Sequence, residues 1–562
     1  MSPDRSPDAR TRGEGRGAAR RCAHPKEPAR GARVLLRRAL SFFSLLALFY
    51  SGCVSEAPGA VLPSRTNGPA DPRARLETPG GVLERAGLRD SLQLVLDRLM
   101  DGHLRGARSL VERLGRERPE EPWVRLIGVR VAREEVDDQH RDKDRVASQT
   151  EPLLRELEGA ERAAEARIEA EPSVAEHRLL RGWIRMFRAR LHALSKSFLA
   201  AASAARGGKG DLERCLEIDP DNADAKGVLG IYLYFADSLP TVFKILRSIL
   251  FIPGGDRERG LEYLRESGEA GGLASIDSRL FRAAILVGFE GRLEEGYDAF
   301  RDLQESHPGN PRFSEPMVLA ALLLPEHRPE ASRSLEAALA SCRDSGEEAH
   351  RRLAWRLRYY RAQLALLAGD PDAAERGWRA ILDQAPESPD WLLGATACHY
   401  TALLQVRGET ARARVVPIRL RSRPRGEDAG EELVDFLEKR DVPDEATAPG
   451  TTREEGTGGT ARERLGARAA LMAGAVEHLT SGGPEGARPL FERLEPRKGD
   501  GFGDLLAVQA LVGLGRLDEL AGRNVEARRK LERARDLYGV RDLLGVVFDS
   551  RIRYLERLGE AD

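Results

Sequence analysis

One spacing recurs along this 562-residue chain and limits what it can fold into. A small residue is followed four positions later by an apolar one, three later by another, and five later by proline: Ala107, Val111, Leu114, Pro119. The spacing returns at Gly296, Phe300, Leu303, Pro308 and at Ala374, Trp378, Ile381, Pro386. Looser copies without the proline are Ala487, Phe491, Leu494 and Ala527, Leu531, Ala534. Steps of four and three put the three residues on one face of an α-helix. The small residue admits a second helix at close range, and proline cannot continue the helix it follows. Such self-similarity marks a stacked array in which each unit buries its apolar face only against its neighbours.

Composition agrees with an array of helices. Charged residues make up 32% and aromatics 6%, and Ala, Leu, Arg and Glu, all strong helix formers, dominate. The segment Glu217 to Ala223 ends one helix and opens the next, and Leu229-Gly230 then sits at a close-packing point. This pattern resembles the tetratricopeptide repeat, a helix-turn-helix unit of about 34 residues. The resemblance covers most of residues 88–557, with its Leu-Gly pair clear at Leu229-Gly230 and Leu514-Gly515 and irregular spacing between copies. It implies an all-α fold, a tetratricopeptide-like solenoid or helix-turn-helix repeat superhelix of roughly six to eight units with an extended concave surface. Helical repeats are expected over residues 83–420 and 465–557. Between them, residues 421–464 are rich in Gly, Thr, Pro and Glu and read as a mobile linker.

Leu229 to Pro253 breaks the rhythm. Pro240 and Pro253 bracket an amphipathic segment, Thr241 to Ile252, whose only charges are Lys244 and Arg247. With the residues that follow, as far as His307-Pro308-Gly309-Asn310-Pro311, it resembles bacterial repeat proteins related to a eukaryotic mitochondrial outer-membrane tetratricopeptide family. Packing inside the superhelix and contact with a partner or membrane are both open for it.

The amino terminus carries an address. Arg37 and Arg38 precede an apolar run, Ala39 to Tyr50, followed by Ser51-Gly52-Cys53, the order of a signal peptide. The run is shorter than the roughly 20 apolar residues of a membrane-spanning helix. Ser51-Gly52-Cys53 resembles the bacterial lipobox, which implies lipidation at Cys53; Tyr50 departs from the aliphatic residue usual there. The expected organisation is a basic leader at 1–33, a lipoprotein signal peptide at 34–52 and a flexible tether at 53–82. A leader this long is unusual, and translation from a non-AUG start near Val34 would leave a signal of ordinary size.

No catalytic signature is present: no G-x-S-x-G elbow, no P-loop, no HExxH. Carboxylate pairs such as Glu134-Glu135, Asp137-Asp138, Glu294-Glu295 and Glu347-Glu348 read as solvated helix faces. His192 and His399 stand apart from any paired ligand and read as structural. Of the five cysteines, Cys22, Cys53, Cys215, Cys342 and Cys398, none forms a CxxC pair, so no metal site and no disulfide framework is indicated. No cofactor is expected. Lys plus Arg (89) and Asp plus Glu (90) nearly cancel, which argues against nucleic acid as a partner.

These features predict a non-enzymatic scaffold or adaptor of the bacterial cell envelope. It would be lipid-anchored, at the outer membrane facing the periplasm, and would bind protein or peptide partners through a concave helical surface. An accessory lipoprotein of a periplasmic solute transporter is the alternative. A degenerate repeat does not mark its ligand-facing positions, so the sequence leaves the partner-binding residues unknown.

Overall fold

The computed structural model describes residues 87–135, 143–238, 254–344, 348–384, 390–421, 460–481, 483–496, 504–540 and 542–559. The leader, signal peptide, Cys53, tether, segment 241–252 and residues 422–459 of the linker lie outside the described residues. The protein is an all-α, tetratricopeptide-like superhelix: among the described residues there are 21 α-helices and no strand.

Helices pack in consecutive pairs. α1 (Arg89–Met100) packs on α2 (Leu104–Glu117), α3 (Pro122–Ala132) on α4 (Lys143–Ala170), α5 (Ala175–Leu194) on α6 (Phe198–Ile218), α7 (Ala223–Ser238) on α8 (Arg257–Ala270) and α9 (Ser275–Ile285) on α10 (Leu293–Ser306). The order continues with α11 (Ser314–Leu323) on α12 (Arg328–Asp344), α13 (Glu348–Leu367) on α14 (Pro371–Gln384), α15 (Asp390–Val406) on α16 (Thr410–Arg421), α17 (Ala461–Thr480) on α18 (Pro484–Leu494) and α19 (Leu505–Leu520) on α20 (Asn524–Tyr538). α21 (Leu543–Gly559) then packs on α20.

Every copy of the recurring spacing falls on the second helix of a pair, with its apolar residues buried. The ten pairs exceed the six to eight units expected, because further second helices carry the spacing in disguise. In α6 it is Gly208, Leu212, Cys215; in α8 Gly260, Leu264, Ser267; in α12 Ala331, Leu335, Ala338, all buried. The close-packing role of Gly230 is direct: a Cβ there would lie 2.9 Å from the carbonyl oxygen of Gly260 in the partner helix. Side chains start several helices, as where Asp504 accepts from the Leu506 and Ala507 amides at 3.1 and 3.3 Å and Thr460 forms a capping box with Glu463.

Apolar burial divides into two clusters. One runs from Leu88 to Ala274. The other takes in Met100, Tyr234 and Leu264, then continues from Ile276 to Leu555, spanning both sides of residues 422–459 without a break. Leu465 and Met472 of α17 thus share one core with Leu357 of α13 and Leu403 of α15.

Successive turns of the coil also touch. Odd-numbered helices far apart in sequence meet: α11 contacts α13, α19 and α21, and α13 contacts α15, α17 and α19. All ten residues of α11, SEPMVLAALL, are buried, as expected of a helix apolar on every side. The second half of the superhelix therefore fills its own axis, where the sequence suggested an open concave surface.

Candidate functional site

Two seams lock the coil. At the first, the α1–α2 turn rests on the α10–α11 turn. Asp101 Oδ1 lies 2.8 Å from His307 Nδ1, and Asn310 Nδ2 donates to the Met100 carbonyl at 2.7 Å. Gly102 has φ +89°, and a Cβ there would lie 3.0 Å from the Gly309 carbonyl oxygen, so this contact needs glycine for both reasons. Beside it Arg130 bridges buried Glu134 and Asp277, the latter at 3.1 Å, while Arg312 lies 3.5 Å from Glu134. Burial alone would raise the Glu134 carboxyl, but Arg312, Arg130 and Arg133 outweigh it and hold the pKa down.

The second seam joins α19 and α21 to the α9–α10 corner, where Leu286–Glu290 forms a π-helical turn. Ser550 Oγ donates to the Val287 carbonyl at 3.0 Å, and Arg551 Nη1 to the Gly291 carbonyl at 2.8 Å. Gly291 has φ +68°, and a Cβ there would collide with the Ser550 backbone. Around it, Arg551 reaches Glu294 and Glu519 at 2.8 and 2.7 Å, and Arg516 reaches Glu294 and Glu326 at 2.6 and 2.7 Å. Beneath lies Arg328, with no carboxylate bonded to it among the described residues. It donates to the Ala321 and Leu322 carbonyls at the end of α11 and to Gln509. Burial lowers its pKa to about 9, and the negative end of the α11 dipole offsets part of the cost of a buried cation.

The axis of the second half also holds a polar aromatic cluster. Tyr359 and Tyr538 donate their hydroxyls to Asp542 Oδ2 at 2.7 and 2.6 Å. His399 Nε2 lies 3.1 Å from the Tyr359 oxygen and 3.4 Å from Gln363 Nε2, and the imidazole stacks on Trp378 at 5.6 Å. Burial holds the His399 pKa at about 3, so the ring is neutral at any ordinary pH. Burial also raises Asp542, against the hydrogen bonds from Tyr538 and Tyr359. Five polar atoms here, Tyr360 Oη, Gln363 Oε1, Trp378 Nε1, Thr396 Oγ1 and His399 Nδ1, are buried and have no hydrogen-bond partner among the described residues.

Most residues singled out by sequence take structural places. Cys215, Cys342 and Cys398 are buried free thiols. Cys53 lies outside the described residues. Glu134 and Glu294, expected on solvated faces, belong to the seam networks instead. His399 meets Tyr359, and through it Asp542, which sequence spacing could not reveal because 143 positions separate the histidine from the carboxylate. Among the described residues no group of three His, Cys, Asp or Glu could hold a metal ion, and no helix is long and apolar enough to cross a membrane.

No protein-family model and no curated protein matches the chain. Among solved structures it is similar to yeast Tom70 (14% identity, 95% of this chain and 97% of that one, TM-score 0.30). It is also similar to a human IFIT1 dimer with PPP-AAAA (14%, 80% and 94%, TM-score 0.29) and to the P58(IPK) TPR domain (13%, 74% and 99%, TM-score 0.20).

Proposed function

We propose that this protein is a rigid helical-repeat scaffold for protein or peptide partners, tethered to the cell envelope through lipid on Cys53. The observation that carries the scaffold reading is the pair of seams. They join helices some 200 to 260 residues apart through ion pairs and close backbone contacts, which makes a stiff body from a fold that is often springy. Because odd-numbered helices from α11 to α21 meet across the axis, partners of this half dock on its outer surface, not in a concave groove. Leu520, the last residue of α19, is 56% exposed and offers an apolar contact point at the end of that helix. The tether rests on the sequence alone: the order of basic, apolar and small residues before Cys53.

Crosslinking in intact cells, then mass spectrometry of the membrane fraction, tests the whole reading. The expected result is an amino terminus at lipid-modified Cys53 and one dominant partner crosslinked to outer positions of the second half. A freely soluble protein retaining residues before Cys53 would remove the tether. The absence of any enriched partner across outer positions would remove the scaffold.

A further inference from the structure

The polar aromatic cluster on the axis shows a mismatch between polarity and partners. Tyr360 and Gln363 lie one helical turn apart on α13, Thr396 and His399 likewise on α15, and Trp378 of α14 stacks on His399. Their side chains are between 0% and 2% exposed. Tyr359 spends its hydroxyl proton on Asp542 at 2.7 Å. Its oxygen is then free to accept from His399 Nε2 at 3.1 Å, which leaves His399 Nδ1 as an acceptor and turns the Gln363 amide so that its oxygen, not its nitrogen, faces the Nε2–H. The cluster thus offers donors at Tyr360 Oη, Trp378 Nε1, Thr396 Oγ1 and the Gln363 amide NH2, and an acceptor at His399 Nδ1, on three adjacent helices.

From this juxtaposition we infer that Tyr360, Gln363, Trp378, Thr396 and His399 form an internal binding site for a neutral hydrogen-bonding guest, of which water is the simplest. A charged guest does not fit. His399 is neutral, the nearby Arg356 is matched by Glu315 at 2.8 Å, and Asp542 already accepts two tyrosine hydroxyls. Buried water normally makes about three hydrogen bonds to otherwise unsatisfied groups, so two waters, or one small hydroxylated molecule, would match the five atoms.

The test uses the full-length protein and exploits the sign of a near-isosteric change. Without a guest, removing an unpaired hydroxyl relieves a penalty, so Thr396→Val and Tyr360→Phe would each raise Tm. With a guest, each deletion breaks a hydrogen bond and strands the guest, and each variant is expected to melt about 2–4 °C lower. Water-¹⁷O relaxation dispersion on the unmodified protein supplies a readout independent of either variant. Long-lived internal waters that Thr396→Val reduces in number support the site with water as guest. A neutral small molecule released on denaturation and seen by mass spectrometry supports it with an organic guest. Higher Tm in both variants, or no long-lived water and no released molecule, overturns it.

Discussion

At the scale of single residues, burial sets the chemistry. Burial raises the Cys215 and Cys342 thiols to about 12, with Asp219 adding to the effect on Cys215. Their thiolate fraction at pH 8 is then on the order of a thousandfold below that of an ordinary thiol. Alkylation of the native protein by iodoacetamide should leave both untouched while the denatured chain reacts within minutes; rapid native labelling of either would refute their enclosure. Two carboxylates make opposite predictions for pH. Burial would raise Asp518, but hydrogen bonds from Lys530, Arg523 and Arg488 outweigh it and hold the pKa at about 2. A depressed folded-state value contributes stability above the unfolded value of about 3.9, lost as pH falls through the folded one. Asp542 is raised, so its contribution is complete below about 3.9 and lost as pH rises through its folded value. Thermal melts from pH 2 to 8 should therefore show Asp518→Asn losing its disadvantage against the unmodified protein on acidification, and Asp542→Asn improving relative to it as pH rises from 4. Parallel curves for the variants and the unmodified protein would contradict the pairing of Asp518 and the burial of Asp542.

At the scale of elements, the second seam decides whether the coil is closed. Arg551 is 3% exposed and bonds Glu294, Glu519 and the Gly291 carbonyl together. Arg551→Met would take from Glu519 one of its two arginine partners, leaving Arg516 at 3.1 Å, a loss of about 1–3 kcal/mol. Gly291→Ala adds a Cβ where the Ser550 backbone lies, at a φ of +68° that alanine resists. Both should raise amide exchange across α21 and the α9–α10 corner together while leaving α1–α6 protected, and exchange confined to α21 would disprove a shared seam. How legible these elements were follows from the same physics. The spacing was plain where the middle position is Phe or Trp, as at Phe300 and Trp378. It was invisible where Leu stands there and a polar or thiol group closes the copy, as with Leu264 and Ser267 or Leu212 and Cys215, because any amphipathic helix supplies such residues. The seams were not legible at all. Glu294 and Arg551 are 257 positions apart, and nothing local marks either as belonging to the other.

At the scale of the whole molecule, sequence composition and spatial organisation part company. Residues 421–464 interrupt the helical pattern, and a reading confined to sequence places a division there. Packing places none: the apolar cluster that includes Ile276 runs on to Leu555, and Arg462 at the start of α17 pairs with Asp372 of α14 at 2.7 Å. The reason is topological. A coil whose turns touch brings α17, α19 and α21 back onto α11 and α13, so the residues after the interruption complete a core begun before it. Cutting the chain at a protease site inserted between 440 and 455 should therefore change little. The two fragments should elute as one particle in size-exclusion chromatography, melt in a single transition, and separate only in denaturant, because the apolar surface between them is core and not domain interface. An added Arg328→Met substitution should weaken the association, since Arg328 ties the end of α11 to Gln509 of α19 across the same boundary. Fragments that part without denaturant would mean that the touching turns are held by the continuous chain and not by their packing.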